Sequence, residues 1–265
     1  MAIIEVRDVH KVFEKDGKKV KVLNGISFDV ERGETLCILG GSGGGKSTLL
    51  KVMIGAHPPT QGDVRIDGES IVGVDEKKMD AARRKFGVLF QSGALLNSMT
   101  VGENVALPIG FHTKQAADTI EIMVKIKLEQ VGLLAAIDRL PSEISGGMQK
   151  RAGLARAIAL EPKVVFYDEP SAGLDPIATT QIDELINKLK DTMGMTNVVV
   201  THVMESVQRI ADKVLMLDKG KVILYGTLDD LLSSPDPKIQ RFVRGETEGL
   251  AAEGANESFV RDLLM

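Results

Sequence analysis

Residues 40–47 read Gly40-Gly41-Ser42-Gly43-Gly44-Gly45-Lys46-Ser47: a glycine, four residues, then Gly-Lys-Ser. Before them, Thr35-Leu36-Cys37-Ile38-Leu39 is an apolar run of strand length. After them, residues 47–55 have helical spacing. A strand, a glycine-rich loop and a helix in that order make a phosphate cradle. The glycines let successive amides face inward, and the helix N-terminus favours an anion. Lys46 is placed to reach the outer phosphates and Ser47 to hold Mg²⁺. The bland alternative, a flexible turn with no ligand, does not explain the strand and helix on either side.

Outward from the loop, short apolar runs alternate with helical patterns. Residues 3–9 and 22–30 read as paired strands around the turn at 14–18, and residues 64–67 with Asp67-Gly68 as a further strand and turn. Strands are predicted at 87–91, 163–168, 197–201 and 214–218, and helices at 145–160 and 179–193. Residues 100–140 are predicted to be largely helical, with Met123, Ile126, Leu128 and Val131 on an apolar face. The fold class is therefore α/β, a sheet covered by helices. Residues 1–245 are expected to form the main domain, with a helical subdomain at about 92–160. Residues 246–265 form a tail rich in Gly, Ala and Glu, where Phe259, Leu263 and Leu264 return at helical spacing. A disordered end and a partner-binding helix are both compatible with that pattern.

The 265 residues are 43% hydrophobic and 26% charged, enough apolar content for a sizeable core. No apolar run approaches the roughly 18 residues of a membrane-spanning helix, and charges at Glu5, Arg7 and Asp8 interrupt any export signal. A cytoplasmic protein is expected. The one cysteine, Cys37, sits in an apolar strand and is expected in the core. A net charge of −4, two Tyr and no Trp argue against a nucleic-acid partner.

A second chemical element is Lys163-Val164-Val165-Phe166-Tyr167-Asp168-Glu169, an apolar strand delivering two acids at its end. Asp168 suits Mg²⁺ coordination and Glu169 suits polarisation of an attacking water as general base. An acidic pair alone is more often a solvated turn; here a phosphate loop lies upstream. The third is Ile144-Ser145-Gly146-Gly147-Met148-Gln149-Lys150-Arg151, which opens a helix and so offers a second anion site. One nucleotide does not need two such sites in one chain.

With these motifs in this order, residues 3–245 resemble the ABC ATPase family, an ATP-hydrolysing P-loop fold with a RecA-like core, an antiparallel β subdomain and a helical subdomain. The resemblance implies ATP and Mg²⁺ as ligands and a homodimer in which each chain's Ser145-Gly146-Gly147 closes on the partner's phosphate loop. It assigns residues Gly40, Gly41, Ser42, Gly43, Gly44, Gly45, Lys46, Ser47 and Thr48 to nucleotide, and Ser47, Gln91 and Asp168 to the metal. Glu169, His202 and Lys46 become the catalytic set, His202 as the switch histidine that contacts the γ-phosphate. Asp175 matches the loop that communicates between protomers. Phe13 stands where the family stacks an aromatic on adenine; packing in the core is the other reading of that residue. Two positions depart from the family's Leu-Ser-Gly-Gly-Gln: Ile144 for the leucine and Met148 for the glutamine. Gln149 points about 100° around the helix from Met148, which puts its compensation in doubt.

Within the family, Leu89-Phe90-Gln91-Ser92-Gly93-Ala94-Leu95-Leu96, Ser145-Gly146-Gly147-Met148 and Ser234-Pro235-Asp236-Pro237 resemble the Mla/Mce-type ATPases of bacterial phospholipid transport. That implies a protein peripheral on the cytoplasmic face of the inner membrane. The implied partners are an MlaE-type permease, an MlaD-type lipid-binding protein and a small MlaB-type subunit, with phospholipid as cargo. An importer of a small polar solute would share every catalytic residue. A nucleic-acid-acting ABC ATPase is disfavoured by the single cassette and the lack of a basic stripe, and a small GTPase by the missing Asn-Lys-x-Asp sequence.

Overall fold

A computed structural model of the chain describes residues 1–15 and 17–246. Strands β1 (Ala2–Lys15) and β2 (Lys18–Glu31) form an antiparallel pair with Ile4 opposite Val30 and Phe13 opposite Val20. Strand β3 (Thr35–Gly40) runs into helix α1 (Lys46–Met53), and β4 (Gln61–Ile66) and β5 (Glu69–Ser70) follow. These strands complete a four-stranded sheet in the order β2-β1-β4-β5.

The chain continues through α2 (Glu76–Arg83), β6 (Phe86–Leu89), α3 (Val101–His112), α4 (Ala117–Gln130) and α5 (Gly146–Ala157). It then alternates through β7 (Val164–Asp168), α6 (Pro176–Met193), β8 (Thr196–Val200), α7 (Met204–Ile210), β9 (Lys213–Asp218) and β10 (Lys221–Thr227). The second sheet has the order β10-β9-β3-β8-β7-β6. Its strands pair in parallel except β10, which turns back antiparallel on β9. Because β3, β6, β7 and β8 share one direction, residues 40–47, Gln91, Asp168-Glu169 and His202 all leave the sheet at its C-terminal edge, where open α/β sheets bind ligands.

The central strands are buried on both faces and read as continuous apolar runs for that reason. Leu36, Ile38, Phe166, Val198 and Val200 meet Leu49, Leu50 and Met53 of α1 in one cluster. Each such side chain contributes about 1.5–3 kcal/mol by leaving water. Cys37, between Leu36 and Ile38 and so on the other face of β3, is fully buried as expected.

Local chemistry sets the helix starts. Thr100 and Glu103 form a capping box for α3, and Asp175 caps α6 ahead of Pro176. Buried Asn104 accepts from the Leu96 amide at 2.7 Å and donates to the carbonyls of Leu96, Met99 and Thr100, which holds the segment after Gln91 onto α3. The α4 face differs from the expected one: Ile126 is exposed, and Lys127 is buried in its place, paired with Glu161 at 2.8 Å. Lys127 shares a face with Val124 and Leu128, so its aliphatic stem packs inward while the ammonium reaches a carboxylate.

Helices α2 and α7 and strand β10 add to the elements expected from sequence. The compact unit Met1–Leu228 contains both sheets, and a second unit begins at Asp229. At the junction lies α8 (Leu228–Leu232), and within the second unit α9 (Pro237–Val243) is capped by Asp236. The apolar face expected at 259–264 lies outside the described residues.

Candidate active site

Two glycines of the phosphate loop, Gly40 and Gly45, are wedged against neighbours that leave no room for a side chain. A Cβ on Gly40 would lie 2.3 Å from the Leu217 carbonyl oxygen of β9, and one on Gly45 would meet Leu23 and Val22 of β2 at 3.0 and 3.1 Å. Gly40 and Gly45 have φ of 140° and 103°, which L side chains rarely adopt. Helix α1 starts at Lys46 without a side-chain cap, so its first-turn amides, those of Lys46, Ser47 and Thr48, have no partner within the helix. Lys46 Nζ donates to the Gly40 and Gly41 carbonyl oxygens at 2.7 and 3.0 Å. Burial lowers the pKa of this ammonium, while Glu169 and Asp168 push it back up.

On the neighbouring strands, β7 ends in Asp168 and Glu169, and β8 leads to His202. Glu169 has φ of 49°, an uncommon left-handed backbone for a non-glycine, and its amide donates to the Val200 carbonyl at 2.9 Å. That turn points the carboxylate toward His202, whose Nδ1 hydrogen-bonds Oε1 at 3.0 Å. The other oxygen, Oε2, is buried and lies 2.9 Å from the same Nδ1, but it accepts no aligned hydrogen bond. Burial raises the pKa of Asp168, Glu169 adds to that, and Lys51, Lys150 and Lys46 oppose it. Two adjacent carboxylates among three lysines, one with an oxygen uncommitted, can bind a cation and accept a proton from water.

Ser145, Gly146 and Gly147 lie elsewhere in the same chain. They line an open cleft of about 490 Å³ together with Leu174, Asp175 and Ala178, and no residue of the phosphate loop lines it. Ser145 Oγ accepts from the Met148 amide at 3.3 Å, which leaves its hydroxyl proton to donate outward. Two half-sites, one cradling phosphate and one opening on a separate cleft, suit a nucleotide shared between two chains.

The family model for the ABC transporter matches residues 23–172. This chain belongs to the ABC transporter family, as an ATPase cassette. It is 40% identical over 242 residues to the intermembrane phospholipid transport system ATP-binding protein MlaF of Haemophilus influenzae, covering 91% of both chains. The MlaF protein of Escherichia coli K12 is also 40% identical, over 93% of this chain and 90% of its own. The methionine import ATP-binding protein MetN of Haemophilus influenzae is 36% identical over 91% of this chain and 70% of the relative. Among solved structures, the cassette MJ0796, a dimer in a post-hydrolysis state with ADP and Pi, superposes with TM-score 0.79 at 30% identity, over 85% of this chain and 98% of that one. The MlaF relatives bear out the Mla/Mce-type resemblance carried by residues 89–96 and 145–148.

In this ABC cassette the remaining expected positions take definite places. Gln91 is exposed just beyond β6. Phe13 lies on β1, with the His57 ring edge-on at 5.8 Å and Lys11 Nζ 4.9 Å from its centroid. It is half-buried: part of the ring packs and part stays open. Gln149 does not replace the missing glutamine of the signature. Its amide donates to the Pro141 carbonyl at 2.9 Å and is turned back onto the preceding turn.

Two residues on α5 went unremarked in the sequence. Lys150, only 5% exposed, donates to the Gln91 carbonyl, and Arg156 donates to the Gly93 and Ala94 carbonyls at 2.8 and 2.7 Å. Both read as charges on a solvated helix, Lys150 between polar Gln149 and Arg151 and Arg156 between two alanines. The available signal was helical position: Lys150 sits three and four residues before Gly153 and Leu154, on the buried face.

Proposed function

We propose that this cassette powers a bacterial inner-membrane transporter of phospholipids, working as a pair of identical chains on the cytoplasmic face beneath an MlaE-type permease. An MlaD-type lipid-binding protein and an MlaB-type small subunit complete the assembly. The lipid assignment is carried by 40% identity over nearly the full length of relatives named for phospholipid transport. The importer reading rests on the methionine relatives, at 36% identity and 70% of their length.

Each ATP is held by the amides of residues 40–48 of one chain and by Ser145, Gly146 and Gly147 of the partner, with Phe13 against the adenine. Lys46 leaves the Gly40 and Gly41 carbonyls to meet the β- and γ-phosphates. Ser47, Gln91 and Asp168 would hold Mg²⁺. Among the described residues no cluster of three His, Cys, Asp or Glu exists, and a set of hydroxyl, amide and one carboxylate suits an ion that keeps water and phosphate oxygens as its other ligands. The ion would neutralise charge on the phosphates. Glu169, held by His202, takes a proton from water through its uncommitted oxygen as that water attacks the γ-phosphorus. The bond to the β-phosphate oxygen breaks, and ADP and phosphate leave.

Purification of the tagged chain from membranes in mild detergent tests this reading. The expected result is co-purification of a permease, an Mce-type lipid-binding protein and bound phospholipid. Recovery of a methionine- or solute-binding protein would overturn it. In the same preparation Lys46→Ala is expected to weaken ATP binding itself, measured by equilibrium titration.

A further inference from the structure

The helix that begins at Ser145 is fastened along its length to the segment that follows Gln91. Near its start, Lys150 Nζ contacts the Gln91 carbonyl oxygen and lies 3.4 Å from the Glu169 carbonyl oxygen. In its middle, Gly153 lets the backbones approach: a Cβ there would come within 2.9 Å of both the Gly93 carbonyl oxygen and Leu89 Cδ1. Near its end, Arg156 donates to Gly93 and Ala94 at 2.8 and 2.7 Å. The contacts of Arg156 and Gly153 fall on residues 89–94. Lys150 differs in also reaching the backbone of Glu169.

Lys150 is nearly fully buried, and an ammonium in such a place is costly unless its protons are used. Burial lowers its pKa, and the negative charges of Glu169 and Asp168 act against that. A buried cation bridging two carbonyls from separate strand ends fixes their relative position in a way that an apolar side chain cannot.

We propose that Lys150 is a positioning residue that locks the helix bearing Ser145-Gly146-Gly147 to Gln91 and to Glu169, so that closure of the partner's nucleotide on that helix sets both residues for hydrolysis. This rests on the reading of Gln91 and Glu169 given above. It adds a physical link between the half-site a chain lends to its partner and the half-site in which it hydrolyses its own ATP. A shift of α5 by a fraction of an ångström would be transmitted through Lys150 without any change in the phosphate loop.

Lys150→Met keeps length and apolar stem and removes the donor; Lys150→Arg keeps a cation able to reach both carbonyls. With the chain in its membrane complex, Lys150→Met is expected to lower kcat for ATP at least tenfold with KM within twofold, with melting temperature retained and faster amide exchange confined to residues 90–95 and 168–170. Lys150→Arg is expected to recover half or more of the wild-type kcat, and it decides the matter if the Met protein does not fold. Wild-type kcat in Lys150→Met, a rise in KM in proportion to the fall in kcat, or an Arg variant as slow as the Met variant would overturn the proposal. Glu169→Gln in the same assay separates the two ideas. Wild-type turnover there removes the general-base reading, while the exchange at 90–95 in Lys150→Met still reports on the lock.

Discussion

His202 and Glu169 meet across the ends of two parallel neighbouring strands, with the imidazole Nδ1 3.0 Å from Oε1 and 2.9 Å from Oε2 of the carboxylate. Residues 168 and 200 are in register between β7 and β8, so Glu169, one residue on, and His202, two residues on, come together. His202 is 62% exposed in its side chain and Glu169 only 15%, so the histidine covers the acid from the solvent side. Glu169→Gln keeps the shape and an acceptor for His202 but cannot take a proton. ATP binding is expected to persist while kcat falls by about 10²–10⁴. His202→Ala removes a hydrogen bond to a charged group, typically about 1.5–3 kcal/mol, which predicts a loss of about ten- to a hundredfold in kcat. Steady-state phosphate release beside equilibrium ATP binding checks both, and an unimpaired His202→Ala would break the link between the two residues.

Gly40 and Gly41 are adjacent and should respond differently to alanine. A methyl group on Gly40 would run into the Leu217 backbone at 2.3 Å, and backbone cannot rotate aside. Gly41 has open space around its Cβ position. Gly40→Ala is therefore expected to destabilise the protein by about 2 kcal/mol or more, a fall of roughly 4–8 °C in melting temperature. Gly41→Ala is expected to leave melting within about 2 °C, the surface norm, and to weaken ATP binding by crowding the phosphates. Thermal scans with and without ATP separate the two effects.

The phosphate loop, the acid pair and the Ser-Gly-Gly helix were legible because each joins a residue pattern to a local element that one stretch of sequence contains. The order of strands was not, since β3 lies between β8 and β9, more than 150 residues later. Nor was the backbone of Glu169: a left-handed turn advertises itself through glycine, and here the sheet imposes it on a glutamate. Helix α2 escaped notice because its sequence, Glu76 to Arg83, is mostly polar and buries only Met79 and Ala82. Lys150 was hidden by its polar neighbours Gln149 and Arg151. Only the helix phase, seen once α5 packs on residues 91–94, shows which of the three faces inward.

Asp67 predicts a pH dependence of stability. It sits in the turn between β4 and β5 with φ of 53°, and its carboxylate meets Lys163 at 2.8 Å and Arg32 in a second contact, tying one sheet to the entry of β7. Hydrogen bonds from Lys163 and Arg32 hold the carboxyl below its ordinary range. A depressed folded-state pKa means the contribution is complete above the unfolded value of about 4 and is lost as pH falls through the folded value. Asn tolerates the same backbone, so Asp67→Asn isolates the charge. At pH 7 the variant is expected to be less stable by about 1 kcal/mol, and the difference is expected to vanish in acid well below pH ~4. Urea unfolding of both proteins across that range measures it.

Cys37 makes the opposite prediction at the alkaline end. It sits mid-strand in β3, between Val199 of β8 and Val214 of β9, with no exposed surface. Burial pushes its thiol pKa far up, and the charges of Asp183 and Asp212 add to the shift. Thiolate is the reactive form, so a thiol reagent should label the native chain only through unfolding, at least about 10³ slower than in denaturant given the usual 10³–10⁸ excess of folded over unfolded chains. ATP, by binding the folded state, is expected to slow labelling further. The raised pKa also fixes a sign. The unfolded thiol ionises near pH ~8.5 and the folded one does not, so each unit of pH above that favours unfolding by about 1.4 kcal/mol through this residue alone. Cys37→Ala lacks the term. Stability curves of the two proteins should therefore converge or cross as pH rises from 8 to 10, and parallel curves would show that the thiol ionises equally in both states.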